Sequence, residues 1–310
     1  MTEKVLVFNG ISDVAVTKLK EAGYEVEENP QKTADDFAAD DSVVGMILMM
    51  APIDGAVMDR FPNLKVIARH GVGYDNVDLQ AAKDRGIIVA NTPGANATAV
   101  AETAVTLMMM AGRLFDTDKR GITDKKAAAY ATEHRGMQVS KKTVGILGFG
   151  HIGKTIAQLL SGFGVEVLAY ARHDKDVPNG RMASLDEIFE KADYVVSTLP
   201  ATDSTTKMID AAAFDKMKDS AVLVNVGRGP VVDEAALIDA LKAGKIAAAG
   251  LDVVEVEPIS PDNELLSLEN TYVLPHVAGG SIEAGKAIAS TAADDVLSVL
   301  SGKGPLNQVN

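Results

Sequence analysis

Residues 141–160 read KKTVGILGFGHIGKTIAQLL, and their reading decides the fold. Thr143–Leu147 is a short apolar run containing β-branched residues; Gly148, Gly150 and Gly153 follow it, and an amphipathic stretch opens at once. A G-x-G-x-x-G pattern is weak evidence in a chain with 27 glycines. Lodged between a strand and a helix it is much stronger. Gly148 permits a tight turn, Gly150 lets the main chain approach a pyrophosphate, and Gly153 lets helix and strand pack closely. The amides that open the helix, around His151 and Ile152, carry partial positive charge toward such phosphates. The stretch predicts a dinucleotide-binding βαβ unit.

Outward from it, short apolar runs alternate with amphipathic ones along the whole chain, the pattern of parallel sheets. Toward the C-terminus the predicted strands are Val165–Tyr170, Tyr194–Ser197, Ala221–Asn225, Ala247–Leu251 and Tyr272–Leu274. Toward the N-terminus they are Lys4–Phe8, Tyr24–Glu27, Val43–Met49, Val66–Arg69 and Ile87–Ala90. Helices are predicted at Ser12–Ala22 and Asp78–Arg85, with Ser12 and Asp78 as N-caps. TAVAETAVTLMMMAGRLF, residues 98–115, predicts one long helix buried on several sides, between domains or also at an oligomer interface. The last helix, Ile282–Leu300, has room to return to the first domain. The expected fold class is α/β, with two doubly wound parallel-sheet domains. Residues 1–98 with 284–310 form a flavodoxin-like substrate domain, and residues 99–283 a Rossmann nucleotide-binding domain.

Composition narrows the function. The 310 residues are 47% hydrophobic and 24% charged, with a net charge of −13 and interspersed signs. Such a surface argues against nucleic acid and against a polybasic membrane patch. The absence of cysteine excludes disulfides, thiolate metal sites and a cysteine nucleophile. The N-terminus MTEKVLVFNG lacks the apolar run of a signal peptide, and Val100–Ala111 is too short to span a bilayer. A cytoplasmic enzyme is expected, with no metal.

VEVLAYARHDK, residues 165–175, bears on the cofactor. About twenty residues past the glycines an acidic side chain ordinarily binds the adenosine ribose of NAD. Ala171 stands there instead, followed by Arg172, whose planar donors suit a phosphate, and by His173, which can stack or assist. Asp174 remains an alternative ribose acceptor. The stretch favours NADP(H) over NAD(H).

Reduction of a carbonyl needs a proton donor, and histidine suits neutral pH. Five are present. His134 lies in the polar ATEHRG and is expected to be exposed. His151 belongs to the glycine loop and His173 to the adenosine end, while His70 follows a first-domain strand and can line a substrate site. His276, in VLPHVAGGS, lies just beyond a strand end. Arg228 and Glu257 lie beyond two further strands, so the three converge on the carboxyl edge where such folds bind ligands. Arg228 can clamp a 2-oxo acid, Glu257 can orient and charge-stabilise the imidazole, and His276 can give its proton to the carbonyl oxygen.

The stretches HGVGYDNVD, NTPGANATAVAE, GILGFGHIG, VNVGRGPVVDEAAL, GLDVVEVEP and LPHVAGGS together resemble the D-isomer-specific 2-hydroxyacid dehydrogenases, nearly end to end. The resemblance implies two βαβ domains flanking a cleft, usually in a homodimer, with Arg228, Glu257 and His276 as the catalytic set. It further implies substrate carboxylate binding by the amides of Val72 and Gly73, and a nicotinamide carboxamide ligand at Asp252. Thr98 matches a cofactor-contacting position, and Leu199 is placed with the cofactor residues. The chain departs from the family at Ala171, in lacking the tryptophan that many members carry, and in having no expected regulatory domain. Glu257 stands where formate dehydrogenase relatives have glutamine. The expected substrate is a small 2-oxo acid such as glyoxylate or hydroxypyruvate. A 3-phosphoglycerate dehydrogenase, with Arg69 on the phosphate, and a nucleotide-sensing corepressor are the alternatives.

Overall fold

A computed structural model describes residues 2–133 and 135–310. In chain order its elements are β1 (Lys4–Phe8), α1 (Asp13–Glu21), β2 (Glu25–Asn29), β3 (Val43–Leu48), α2 (Gly55–Met58), β4 (Val66–Arg69), α3 (Leu79–Asp84) and β5 (Ile88–Ala90). Then come α4 (Ala97–Arg113), α5 (Phe115–Thr123), α6 (Ala127–Glu133), β6 (Thr143–Leu147), α7 (His151–Leu159), β7 (Glu166–Tyr170), β8 (Gly180–Met182), α8 (Leu185–Lys191) and β9 (Tyr194–Ser197). The chain finishes with α9 (Ala211–Lys216), β10 (Val222–Asn225), α10 (Glu234–Lys242), β11 (Ala248–Leu251), β12 (Thr271–Val273) and α11 (Ile282–Leu300). It divides into two compact units, residues 1–96 with 280–310, and residues 97–279.

In the first unit five parallel strands run β2-β1-β3-β4-β5, the flavodoxin-like order. Every residue of β3 is buried, as a central parallel strand covered on both faces requires. The edge strand β2, EVEEN, carries three glutamates, charges that discourage further pairing. Helix α11 covers β3, β4 and β5 and packs on α1. The buried carboxylate of Asp295 accepts from the amides of Leu306 and Asn307 and from the Asn307 side chain. That anchors a C-terminal tail whose Gln308 bridges Ala90 antiparallel. Asp78 caps α3 through the amide of Ala81 at 2.9 Å. Ser12, the other expected cap, occupies the N-cap position of α1 but its side chain makes no capping bond.

The second unit has seven parallel strands in the order β12-β11-β10-β9-β6-β7-β8. The chain winds one way from β6 through β8 and the other way from β9 through β12, so the sheet has a topological switch point between β6 and β9. Strand β8 went unpredicted because its three residues, GRM, show no apolar pattern. The long predicted helix is α4, which ends two residues before the expected stretch does. Leu114 adopts φ 57, and the Gly112 carbonyl is taken by the amide of Met137 at 2.6 Å, which closes α4 and restarts the chain as α5. Helix α4 is otherwise as apolar as expected, burying Val100, Leu107 and Met108 in the core beneath β6, β9 and β10. No helix among the described residues is long and apolar enough to cross a membrane.

Candidate active site

The strand ends on one side of the switch point carry the residues selected from sequence. Arg228 follows β10, Glu257 follows β11 and His276 follows β12, and these three strands are adjacent in the sheet. His276 Nδ1 lies 2.7 Å from Glu257 Oε2. A carboxylate only accepts, so the ring donates through Nδ1, and Nε2 is left as the position for a second, transferable proton. The other oxygen of Glu257, Oε1, accepts the amide of Val254 at 3.2 Å, which fixes the carboxylate in its own turn. The side chains of His276 and Glu257 are 45% and 34% exposed, so a ligand can reach the pair.

His276 is held by its backbone as much as by Glu257. Its φ is 56, a left-handed conformation that costs a non-glycine residue roughly 1–2 kcal/mol. Asp252, only 2% exposed, offsets that cost. Its carbonyl accepts the His276 amide at 2.9 Å, and its carboxylate accepts the amides of Val277 at 2.8 Å and Ala278 at 3.0 Å. Sequence placed Asp252 among the cofactor ligands and gave no sign of this grip on the histidine turn. Asn225 was missed altogether. Fully buried at the end of β10, it donates to the Arg228 carbonyl at 3.0 Å and accepts the Gly227 amide at 3.1 Å. A polar residue closing an apolar run just before glycine was the available signal. The Arg228 guanidinium bonds the Gly227 carbonyl at 2.9 Å.

The glycine loop sits at the carboxyl end of β6. Gly150 is the N-cap of α7 and provides no side-chain cap, so the helix start has open donors. A Cβ on Gly150 would meet no atom within 4 Å, whereas one on Gly153 would lie 2.3 Å from the Gly148 carbonyl oxygen. The loop is thus closed tightly on itself beneath Gly153 and open above Gly150. Thr198 Oγ1 bonds the Gly148 carbonyl at 2.6 Å, a lock not read from sequence. Leu199 is buried beside Gly148. His151 opens α7 exposed, Ile152 is half-buried, and Thr98 is exposed at the start of α4. After β7 the chain leaves the sheet with Ala171 half-buried and Arg172, His173 and Asp174 exposed. His134 lies outside the described residues.

In the first unit, Val72 and Gly73 lie in the turn after β4, where the Val72 carbonyl accepts the Asn91 side chain at 2.7 Å. Arg69 donates to Asn76 Oδ1 at 3.3 Å and to the His70 carbonyl, and meets the Met50 sulfur at 3.6 Å. The His70 ring packs edge-on against Phe8, with centroids 4.8 Å apart, and bonds the main chain at Gly285. Burial, reinforced by the Arg69 charge, lowers His70 to about 4. A histidine neutral down to that pH is no proton donor near neutrality.

Comparison with known proteins agrees with this architecture. Residues 105–278 match the NAD-binding domain of the D-isomer specific 2-hydroxyacid dehydrogenases. D-3-phosphoglycerate dehydrogenase of Archaeoglobus fulgidus is 35% identical over 313 residues, 99% of this chain, which spans 59% of that longer protein. Glyoxylate/hydroxypyruvate reductase B of an Enterobacter species is 38% identical over 288 residues, 91% of this chain and 89% of that one. The crystal structure of an NADPH-dependent glyoxylate/hydroxypyruvate reductase from Sinorhizobium meliloti, bound to NADP and malonate, superposes with a TM-score of 0.84. It is 33% identical and covers 100% of this chain and 97% of its own. The chain belongs to the D-isomer-specific 2-hydroxyacid dehydrogenase family and is an NAD(P)-dependent oxidoreductase.

Proposed function

We propose that this enzyme reduces small 2-oxo acids such as glyoxylate and hydroxypyruvate, with NADPH as its preferred partner and His276 as the proton donor. The observation that carries the reading is the 2.7 Å bond between His276 Nδ1 and Glu257 Oε2 at adjacent strand ends. The residues fit the cofactor. The uncapped start of α7 and the open space over Gly150 suit a diphosphate, so Gly148, Gly150, His151, Ile152 and Gly153 are assigned to it. Thr98, Leu199 and Asp252 are assigned to the remainder of the cofactor. When bound, the cofactor supplies a hydride to the carbonyl carbon.

The chain's own part is to hold the acid and move a proton. Arg228 clamps the substrate carboxylate and polarises the carbonyl. His276 transfers the proton on Nε2 to the forming alkoxide, while Glu257 stabilises the imidazolium from which that proton leaves. Ala171 removes the carboxylate that would repel a 2′-phosphate, and exposed Arg172, aided by His173, attracts one. A phosphorylated substrate is less well supported, because Arg69 is already engaged by His70, Asn76 and Met50.

Initial rates with NADPH and NADH against glyoxylate, hydroxypyruvate, pyruvate and 3-phosphohydroxypyruvate test the reading. It expects kcat/KM to be at least about 10-fold higher with NADPH, in line with the strength of charge-assisted hydrogen bonds, and highest for the two small acids. Preference for NADH, or for the phosphorylated acid, would contradict it.

A further inference from the structure

Beyond His276 and Glu257, a pair of carboxylates, Glu234 and Glu255, is tied into the same edge of the sheet. Glu234 is the first residue of α10 and Glu255 lies in the turn leading to Glu257. The amide of Glu234 donates to Glu255 Oε2 at 3.2 Å, and the amide of Glu255 donates to Glu234 Oε2 at 3.0 Å. Each carboxylate therefore satisfies the other's main chain, a reciprocal clamp across 21 residues of sequence.

The arrangement is well compensated. Glu255 sits at the positive end of a nine-residue helix. Lys207 lies 3.6 Å from Glu255 and 3.3 Å from Asp233, the cap of the same helix. The second oxygen of Glu234 accepts Asn263 Nδ2 at 2.7 Å, and Asn263 Oδ1 in turn holds the amide of Leu265. Glu234 thus grips the Glu257-bearing segment on both sides of Glu257, at residues 255 and 263.

What the clamp joins is informative. Glu234 closes the segment that begins at Arg228, and Glu255 belongs to the turn in which Val254 fixes Glu257. The two turns are also in direct backbone apposition, since a Cβ on Gly229 would fall 1.7 Å from the Val254 carbonyl oxygen. Glycine is required there because nothing larger lets the turns close.

We propose that Glu234 and Glu255 are positioning residues for the proton donor, holding the Glu257 turn against the Arg228 turn so that Glu257 stays on His276. The proposal rests on the reading of His276 and Glu257 given above. Neither glutamate touches the reacting atoms; they act through Glu257. Release of the clamp lets the Glu257 carboxylate drift from the imidazole. His276 is then held less precisely for proton transfer.

The test compares Glu255→Ala, Glu234→Ala and the corresponding Gln variants with wild type. We expect both Ala variants to lose roughly 10- to 100-fold in kcat for 2-oxo acid reduction, the scale of a small misplacement of a catalytic group. KM for NADPH should stay unchanged, so that the loss falls on kcat alone. The Gln variants, which keep an acceptor oxygen, should recover part of the loss. In the substrate-free enzyme the His276 ring resonances, assigned by their disappearance in His276→Ala, should move from their wild-type positions at a fixed neutral pH as the bond to Glu257 loosens. Should an Ala variant not fold, its Gln counterpart carries the same measurements. Folded variants whose kcat and His276 resonances both coincide with wild type overturn the proposal. Full turnover in His276→Ala would instead remove the proton-donor reading, and the His276 resonances in the clamp variants would still decide the clamp.

Discussion

His70→Phe should make the protein more resistant to mild acid even as it removes hydrogen bonds. In the folded chain the His70 ring is lowered to about 4 by burial, with Arg69 adding to the effect, whereas an unfolded histidine titrates near 6.5. Between those values the unfolded chain binds a proton that the folded chain refuses. Stability linked to this ring is therefore fully present above about pH 6.5 and is lost as pH falls toward about 4. Going from about pH 7 to about pH 4.5, that single group should cost the wild type about 2 kcal/mol. Phenylalanine keeps the edge contact with Phe8 and has no proton to gain. Its lost hydrogen bonds lower stability by about 1 kcal/mol at every pH. Carboxylates such as Asp40 and Glu187, each lowered to about 2 by partners including Lys4 and Arg181, titrate alike in both proteins and cancel. Denaturant unfolding at the two pH values measures the difference. If wild type and His70→Phe lose the same stability on acidification, His70 does not titrate as a buried neutral ring.

Other substitutions probe the site itself. Arg228→Lys should lower kcat/KM for 2-oxo acids by about 100-fold or more, because an ammonium lacks the bidentate fork and holds the carboxylate less well oriented; wild-type kinetics would make Arg228 a turn residue. Arg172→Ala should weaken NADPH about 10- to 150-fold in Kd while leaving NADH nearly unchanged, and adding Ala171→Asp should reverse the preference; equal losses for both cofactors would refute the phosphate contact. Glu257→Gln should lower kcat by about 10-fold or more with NADPH affinity unchanged, since the imidazole loses the charged partner that orients it; wild-type kcat would dissociate the pair.

Much of the fold was legible because parallel strands buried on both faces are written as unbroken apolar runs. β1, β4, β6, β9 and α11 coincide with their expected bounds. Legibility fails where the determinant is backbone geometry or a tertiary bond. β8 exists because Gly180–Met182 pairs with β7, not because GRM resembles a strand. The break at Leu114 depends on a carbonyl captured by Met137, and the idle side chain of Ser12 has no signature in the letters. At the site, the sequence set Arg228, Glu257 and His276 just beyond strand ends, and the fold makes those strands neighbours. The supports did not announce themselves. The left-handed turn of His276, the amides gathered by Asp252 and the buried Asn225 beneath Arg228 are all main-chain contacts, which sequence spacing does not specify.

The most direct test of the central claim is the kcat of His276→Ala in 2-oxo acid reduction at neutral pH, measured beside the Kd for NADPH. Loss of the general acid should lower kcat by about two to four orders of magnitude. Cofactor affinity should remain close to wild type. Near-normal turnover with intact NADPH binding would contradict the account, for it would mean that another group supplies the proton and that the bond between His276 and Glu257 serves only the fold.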